Sequence, residues 1–302
     1  MLTAIHLLLT YSCNLKCDHC FLHCGPGARG TMTLAQTRAL LAESKRLGSV
    51  QAIYFEGGEP FLFYPLMVEG IRLAREMGFA AGIVTNGYWA TSAEDAALWL
   101  RPLADLGVSD MSISDDALHY GEAGDTPAKC ALAAAQAVGI PASALRKTRP
   151  VVTQPAPDAA EKGRPEIGGG IKMRGRAAER FTQGLPTRCC EELGHCPFED
   201  LRDPQRVHIG CDGNVQLCQG VSMGNCWKTP LSELAGAYDP DTHPIAGPLL
   251  RGGPARLVEE HGLRMPGEYV DECHLCYAAR LALLDRFPVH LAPRQAYGLG
   301  PE

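Results

Sequence analysis

Cys13-Asn14-Leu15-Lys16-Cys17-Asp18-His19-Cys20 sets three thiols apart by three and then two residues, directly after the apolar run Ile5-His6-Leu7-Leu8-Leu9. A fourth cysteine, Cys24, follows. The stretch reads as a first strand delivering a tight cysteine loop from its C-terminal end. Cys thiolates are the ligands of [4Fe-4S] clusters, and three protein ligands leave the fourth iron open to a small molecule. A C-x2-C pair also suits zinc or a redox dithiol. The triplet alone leaves iron and zinc both open.

A second motif follows about forty residues on, where Ala52-Ile53-Tyr54-Phe55 runs into Glu56-Gly57-Gly58-Glu59-Pro60. By itself Gly57 to Pro60 is an ordinary strand-to-helix turn. Together, in this order and at this separation, the two motifs resemble the radical SAM (S-adenosylmethionine) superfamily. In that family the open iron binds the amino and carboxylate groups of S-adenosylmethionine, and Gly-Gly-Glu-Pro receives the amino group. The resemblance implies a [4Fe-4S] cluster on Cys13, Cys17 and Cys20, with Gly57, Gly58, Glu59 and Pro60 as cofactor contacts. It also implies a partial (βα)6 TIM-like barrel. His19, before the third cysteine, stands where the family has a flat ring against the adenine; a surface histidine is the alternative.

At 302 residues and 46 % hydrophobic content, the chain can hold one large domain or one large and one small. It has no apolar run of eighteen or more residues and no signal-type start. The triplet at residue 13 leaves no room for a removable leader, so a cytoplasmic location without membrane contact is expected. Thirteen cysteines then read as metal ligands rather than disulfides. A net charge of −6 gives no global case for nucleic acid. The basic stretches Arg146-Lys147-Thr148-Arg149 and Lys172, Arg174, Arg176, Arg180 read as solvated or substrate-facing surface.

The first 140 residues alternate strand-like and helix-like segments, the pattern of an α/β fold with a mostly parallel sheet. Thr33 and Gln36 form a capping box, with Gly48 as the stop. Met67, Ile71 and Ala74 mark a second helix closed by Gly78. Strands are expected at 79–85 and 108–114. Thr91 and Glu94 cap a third helix carrying Leu98, Trp99 and Leu103, and an alanine-rich helix runs from Thr126-Pro127 to Gly139. Each strand ends in a polar or glycine-rich turn, and barrel active sites are built at that rim. On the fourth strand Ser112 and Ser114 share a face; with the terminal Asp115 they are candidates for the ribose hydroxyls. Asn86 is another, although Asn-Gly is first of all a turn. The segment 170–177 is expected to restore a last strand. Its Gly-Arg-Ala ending resembles the family's sixth-strand segment and so implies Arg176 near the adenosyl group.

The domain boundary is drawn near 185, giving a core over 1–185 and a cysteine-rich extension over 186–302. Cys211 to Cys218 reads as a hairpin turning at Asp212-Gly213, and Cys273-His274-Leu275-Cys276 as a knuckle. Cys196, Gly213-x4-Cys218 and Cys273-x2-Cys276 resemble the SPASM or twitch extension, which implies one auxiliary [4Fe-4S] cluster on Cys196, Cys218, Cys273 and Cys276. Zinc on the same four is the alternative. Cys190 can replace Cys196; Cys190, Cys211 and Cys226, with Cys189, are possible further ligands or free buried thiols. The compact run of four cysteines of a two-cluster extension is lacking, and sixteen residues separate Cys196 from Gly213, slightly long for the family. Cys24 and Cys130 are not expected to be ligands.

The activity that the resemblance implies is one-electron reductive cleavage of S-adenosylmethionine to a 5′-deoxyadenosyl radical that abstracts hydrogen from a substrate. The leading substrate class is a peptide or protein side chain, although no leader-binding domain precedes the barrel. The alternative is a small metabolite or cofactor precursor, and the non-enzymatic alternative an iron–sulfur or zinc-binding module. A flavodoxin or ferredoxin is the expected electron donor. Tyr277, His274, His119 and Tyr120 are candidate hydrogen donors, and no catalytic residue is assigned.

Overall fold

The computed structural model describes residues 2–122, 124–153 and 166–300. The order of elements is β1 (Ala4–Thr10), α1 (Leu34–Leu47), β2 (Ala52–Gly57), α2 (Tyr64–Glu76), β3 (Ala80–Thr85), α3 (Ala93–Asp105), β4 (Asp110–Ser114), a short α4 (Ala117–Tyr120), α5 (Pro127–Val138) and β5 (Ala142–Leu145). Next come the pair β6 (Val151–Thr153) and β7 (Glu166–Gly168), then α6 (Arg176–Arg180). The rest is β8 (Arg206–Gly210), β9 (Asn214–Cys218), β10 (Val221–Asn225), α7 (Leu231–Ala237), α8 (Ala246–Glu260) and α9 (Glu272–Leu283).

One sheet runs β10-β9-β8-β1-β2-β3-β4-β5, and its stretch from β8 to β5 is parallel throughout. Strand residues point alternately to the two faces. Ile5, Leu7 and Leu9, Ile53 and Phe55, Ala81 and Ile83, Met111 and Ile113 are buried against Leu40 and Leu41 of α1, Ile71 of α2, Leu100 of α3 and Ala131 of α5. The opposite face points away from these helices and carries polar residues. One lateral row across it is His208, His6, Tyr54, Gly82 and Asp110.

The helices follow their sequence signals. Thr33 and Gln36 make the reciprocal capping box, and Gly48 ends α1 in the left-handed region. Thr126 caps α5 and Gly139 closes it. At α3 the cap is Ser92, which accepts from the Asp95 N–H, while Thr91 bonds the Asp95 carboxylate instead. Leu98 of that helix is 61 % exposed, and Leu100 takes the inward position.

The strand expected over 170–177 is corrected. Residues 170–177 form no strand. Gly169, Gly170 and Gly175 all take positive φ, and a Cβ on Gly175 would stand 2.7 Å from the Cys20 carbonyl oxygen. The segment therefore packs on the cysteine loop and enters α6 at Arg176. The sixth parallel strand is β8, beside β1, so the sheet continues across the boundary expected near 185. The knuckle Cys273 to Cys276 is the first turn of α9, capped by Asp271. The hairpin at Asp212-Gly213 is present, between β8 and β9. No helix among the described residues is long and apolar enough to cross a membrane.

Candidate functional site

The end of β2 rides on the backbone that leads to Cys13. Gly58 N–H donates to the Thr10 carbonyl at 2.6 Å, and Glu59 N–H to the Ser12 carbonyl at 2.9 Å. A Cβ on Gly58 would lie 2.1 Å from the Ser12 oxygen and 2.8 Å from that of Tyr11; one on Gly57, at φ +136°, would lie 2.4 Å from the Thr10 oxygen. Only glycines let two backbones approach this closely.

Behind this contact the Glu59 carboxylate is fully buried. It accepts from Phe61 N–H (3.0 Å), Thr85 Oγ1 (2.8 Å) and Asn86 N–H (2.8 Å). Burial pushes its carboxyl up to about 7, against the pull of those three donors. Glu59 thus ties the ends of β2 and β3 together, and neither it nor Pro60 faces the cavity described next. Stranding three donors, Glu59→Ala is expected to cost about 2 kcal/mol in urea unfolding, with Glu59→Gln costing about half that.

The four strand-end turns meet around a cavity of about 320 Å3, the size range of small-molecule sites. Cys13, Cys17 and Cys20 open onto it opposite Gly57 and Gly58. Burial pushes the Cys13 thiol up to about 11 and that of Cys17 up to about 12. Cys20 is pulled down by its hydrogen bond with the buried Cys24. Leu15 N–H at 3.4 Å and Asn86 Nδ2 at 3.6 Å point at the Cys13 sulfur. Arg176 clamps the loop: its backbone N–H donates to Cys20 O at 3.1 Å, Nε to Cys17 O at 2.8 Å, and Nη2 to Cys24 O at 2.7 Å.

His19 borders the cavity with its edge on the His119 ring, centroids 4.8 Å apart. Its Nδ1 is buried and lacks a hydrogen-bond partner. Burial, with His119 nearby, pulls the imidazole down to about 4, so the ring is neutral near pH 7. Ser114 and Asn86 also border the cavity. Ser112 and Asp115 do not: Asp115 is held by Thr126 Oγ1 (2.9 Å) and Arg146 Nη2 (2.7 Å). The next residue, Asp116, faces the cavity and bonds His119 Nδ1 at 2.8 Å. The sequence reading missed it, although an Asp preceding a short helix is an N-cap signal, and Asp116 does cap α4. Of the candidate hydrogen donors, His119 borders the cavity and Tyr120 donates to the Asn86 carbonyl. Tyr277 instead pairs with His23 (3.0 Å), and His274 Nδ1 accepts from Val270 N–H (3.2 Å).

Cys196, Cys218, Cys273 and Cys276 line a second, smaller cavity. Two buried guanidiniums join them. Arg174 donates to the Cys218 sulfur at 2.8 Å and borders both cavities. Arg280 is 1 % exposed. It donates to Gln219 O at 2.6 Å and lies near the Tyr277 and Tyr297 rings, with no carboxylate partner among the described residues. Cys190, Cys211 and Cys226 are not in this set. Cys190 lies near Tyr269, Cys211 against Gly30, and the Cys226 thiol donates to Gly213 O at 3.1 Å.

The spacing of the thiols bears on what they hold. A tetrahedral zinc at about 2.3 Å from each sulfur would draw them to about 3.8 Å from one another. Among the described residues, no three cysteine sulfurs lie within 4.8 Å of one another. Neither set is thus drawn together to the spacing of a single bound zinc.

Residues 7–121 match the model of the Radical SAM superfamily. The chain is 28 % identical over 115 residues to "Putative peptide biosynthesis protein YydG" of Bacillus subtilis (strain 168), covering 38 % of this chain and 36 % of that protein. It is 33 % identical over 115 residues to the "Tungsten-containing aldehyde ferredoxin oxidoreductase cofactor-modifying protein" of Pyrococcus furiosus, covering 38 % and 31 %. To the "GTP 3′,8-cyclase" of Chlorobaculum tepidum it is 30 % identical over 116 residues, covering 38 % and 33 %. The matched part is thus about a third of each relative's length. Among solved structures, BtrN in complex with AdoMet and 2-DOIA covers 78 % of this chain and 82 % of its own at 16 % identity and a TM-score of 0.49. Over residues 7–121, somewhat more than a third of its length, the chain is similar to the radical SAM superfamily.

Proposed function

We propose that this chain is an enzyme that holds a [4Fe-4S] cluster on Cys13, Cys17 and Cys20 and S-adenosylmethionine in the adjoining cavity. When bound, the reduced cluster and S-adenosylmethionine supply a 5′-deoxyadenosyl radical able to take hydrogen from a C–H bond. The observation that carries this reading is the opening of all three thiols onto one cavity, opposite the close-packed Gly57 and Gly58. The chain's own residues prepare the site. Arg176 fixes the loop and places a cation beside its thiols. The donors from Leu15 and Asn86 favour the Cys13 thiolate against its burial. His19, neutral and with an unpartnered nitrogen, suits a flat, hydrogen-bonding ring such as adenine. Ser114 and Asp116 are the better placed ribose contacts, since both border the cavity and Asp115 does not.

An auxiliary [4Fe-4S] cluster on Cys196, Cys218, Cys273 and Cys276 belongs to the same proposal. Supporting it are the single cavity they line and the buried Arg280; Arg174, by contrast, also has a carboxylate partner in Glu199 at 3.5 Å. A buried guanidinium without a carboxylate requires an anionic neighbour, and thiolates around Arg280 supply it. Arg280→Met is expected to lower auxiliary iron content and to cost about 3 kcal/mol of stability, read by iron analysis and urea unfolding.

For the substrate, a peptide or protein side chain is the preferred class. Supporting it are the relative named for peptide biosynthesis and the position of β5, the outer strand of the sheet, whose end at Leu145 borders the cavity. An extended peptide can pair with such an edge. Electrons would come from a flavodoxin or ferredoxin. The test is anaerobic turnover of the reduced holoprotein with S-adenosylmethionine and a deuterated precursor peptide encoded beside its gene. Deuterium in the 5′-deoxyadenosine supports the peptide reading; transfer from a small metabolite alone supports the alternative, and no 5′-deoxyadenosine with either contradicts the enzyme reading.

A further inference from the structure

Beneath the cavity, the polar face of the sheet holds a cluster that the cysteine chemistry does not use. His6 of β1 and His208 of β8 are register partners, and Glu56 stands at the end of β2 between them and the cavity, part of whose wall it forms. The side chains are nearly buried, at 15 %, 12 % and 14 % exposure. Glu56 Oε1 lies 3.3 Å from His6 Nδ1 and 3.2 Å from His208 Nε2. One ligand atom from each of the three residues falls within 4.8 Å of the other two, which no other trio of His, Cys, Asp or Glu among the described residues achieves.

These distances would suit hydrogen bonds, but the directions do not. His6 Nδ1 and Glu56 Oε1 are both buried and neither has a directed hydrogen bond. Buried polar atoms are rarely left so. Ligands about 2.1 Å from one ion, at tetrahedral or octahedral angles, stand about 3.0–3.4 Å apart, and the two carboxylate–imidazole spacings fall in that interval. The support around the trio is rigid. His6 stacks on Tyr54 at 4.6 Å and 13°. That ring lies over Gly82, where a Cβ would stand 2.4 Å from it, and its hydroxyl donates to Asp110 Oδ2 at 3.1 Å.

We infer that His6, Glu56 and His208 form a binding site for one divalent transition-metal cation of the zinc or iron(II) class. Two imidazoles and one carboxylate are a donor set such ions prefer, and three ligands leave positions open. Because Glu56 borders the cavity, an oxygen or nitrogen donor of the bound substrate can complete the coordination. The site is separate from both cysteine sets and stands or falls independently of them.

Zinc is the probe. Reconstituted holoprotein is dialysed anaerobically against buffered Zn2+, and zinc, iron and sulfide are then measured in wild type, His6→Gln, Glu56→Gln and His208→Gln. The site predicts about one zinc per chain more in wild type than in each variant, with iron and sulfide unchanged. Equal zinc in all four overturns it and leaves the trio a metal-free ion pair. Should the variants lose iron through misfolding, anomalous diffraction from zinc-soaked wild-type crystals decides. A peak among the three side chains supports the site, and its absence there overturns it.

Discussion

Replacing Cys13, Cys17 and Cys20 together with alanine is expected to remove about four irons per chain, leave about four, and abolish 5′-deoxyadenosine formation. The expectation rests on the separation of the two thiol sets. The triplet lies on the loop after β1, and the other four lie on the 194–199 loop, the end of β9 and the first turn of α9. The sets share no ligand, so losing one leaves the other's thiols in place. Iron and sulfide analysis after anaerobic reconstitution reads the result. Retention of zinc alone in the triple variant would mean that the second set is a zinc site. Because the substituted side chains are small and line a cavity, the variant is expected to keep a cooperative unfolding transition.

Gly58→Ala is expected to be nearly as damaging with no cysteine touched. The added methyl would stand 2.1 Å from Ser12 O, 2.6 Å from Ser12 C and 2.8 Å from Tyr11 O. All three are backbone atoms, so no side chain can move aside. Relief requires separating the end of β2 from residues 10–12, which breaks the Gly58–Thr10 and Glu59–Ser12 hydrogen bonds and displaces Cys13. The expected cost is about 4 kcal/mol, at the severe end for one substitution, together with loss of the triplet's iron. By contrast, Gly27→Ala, where nothing lies within 4 Å of the added methyl, is expected to change neither quantity. A Gly58→Ala protein with full iron and unchanged urea midpoint would show that the close approach is not needed.

Local signals read true where they are self-contained. The Thr33–Gln36 box, the Thr126 cap and the closing Gly48 and Gly139 each depend on a few neighbouring residues, and all four stand where the sequence puts them. The sixth parallel strand was hidden because its partner, β1, lies about two hundred residues away; Arg206 to Gly210 alone reads only as a hairpin arm. Residues 170–177 read as a last strand through their resemblance to the family's sixth-strand segment, but three positive-φ glycines turn the backbone onto the cysteine loop. The cysteines announced themselves by spacing. The arginines that face them did not, because a single charge in a helix such as α9 carries no mark of its burial. His6 and His208 sat in strands read for their apolar neighbours, and only the β1–β8 register brings them together. At the rim, Asp115 was favoured as the residue ending β4, while the turn into α4 presents Asp116.

The most direct test of the account is electron paramagnetic resonance of the reduced, reconstituted protein with and without S-adenosylmethionine. If Cys13, Cys17 and Cys20 leave one iron open to the cofactor, its addition shifts the signal of one cluster. That signal is then absent from the triple alanine variant, whose remaining signal ignores the cofactor. A spectrum that S-adenosylmethionine leaves unchanged in the wild-type protein would contradict the central claim.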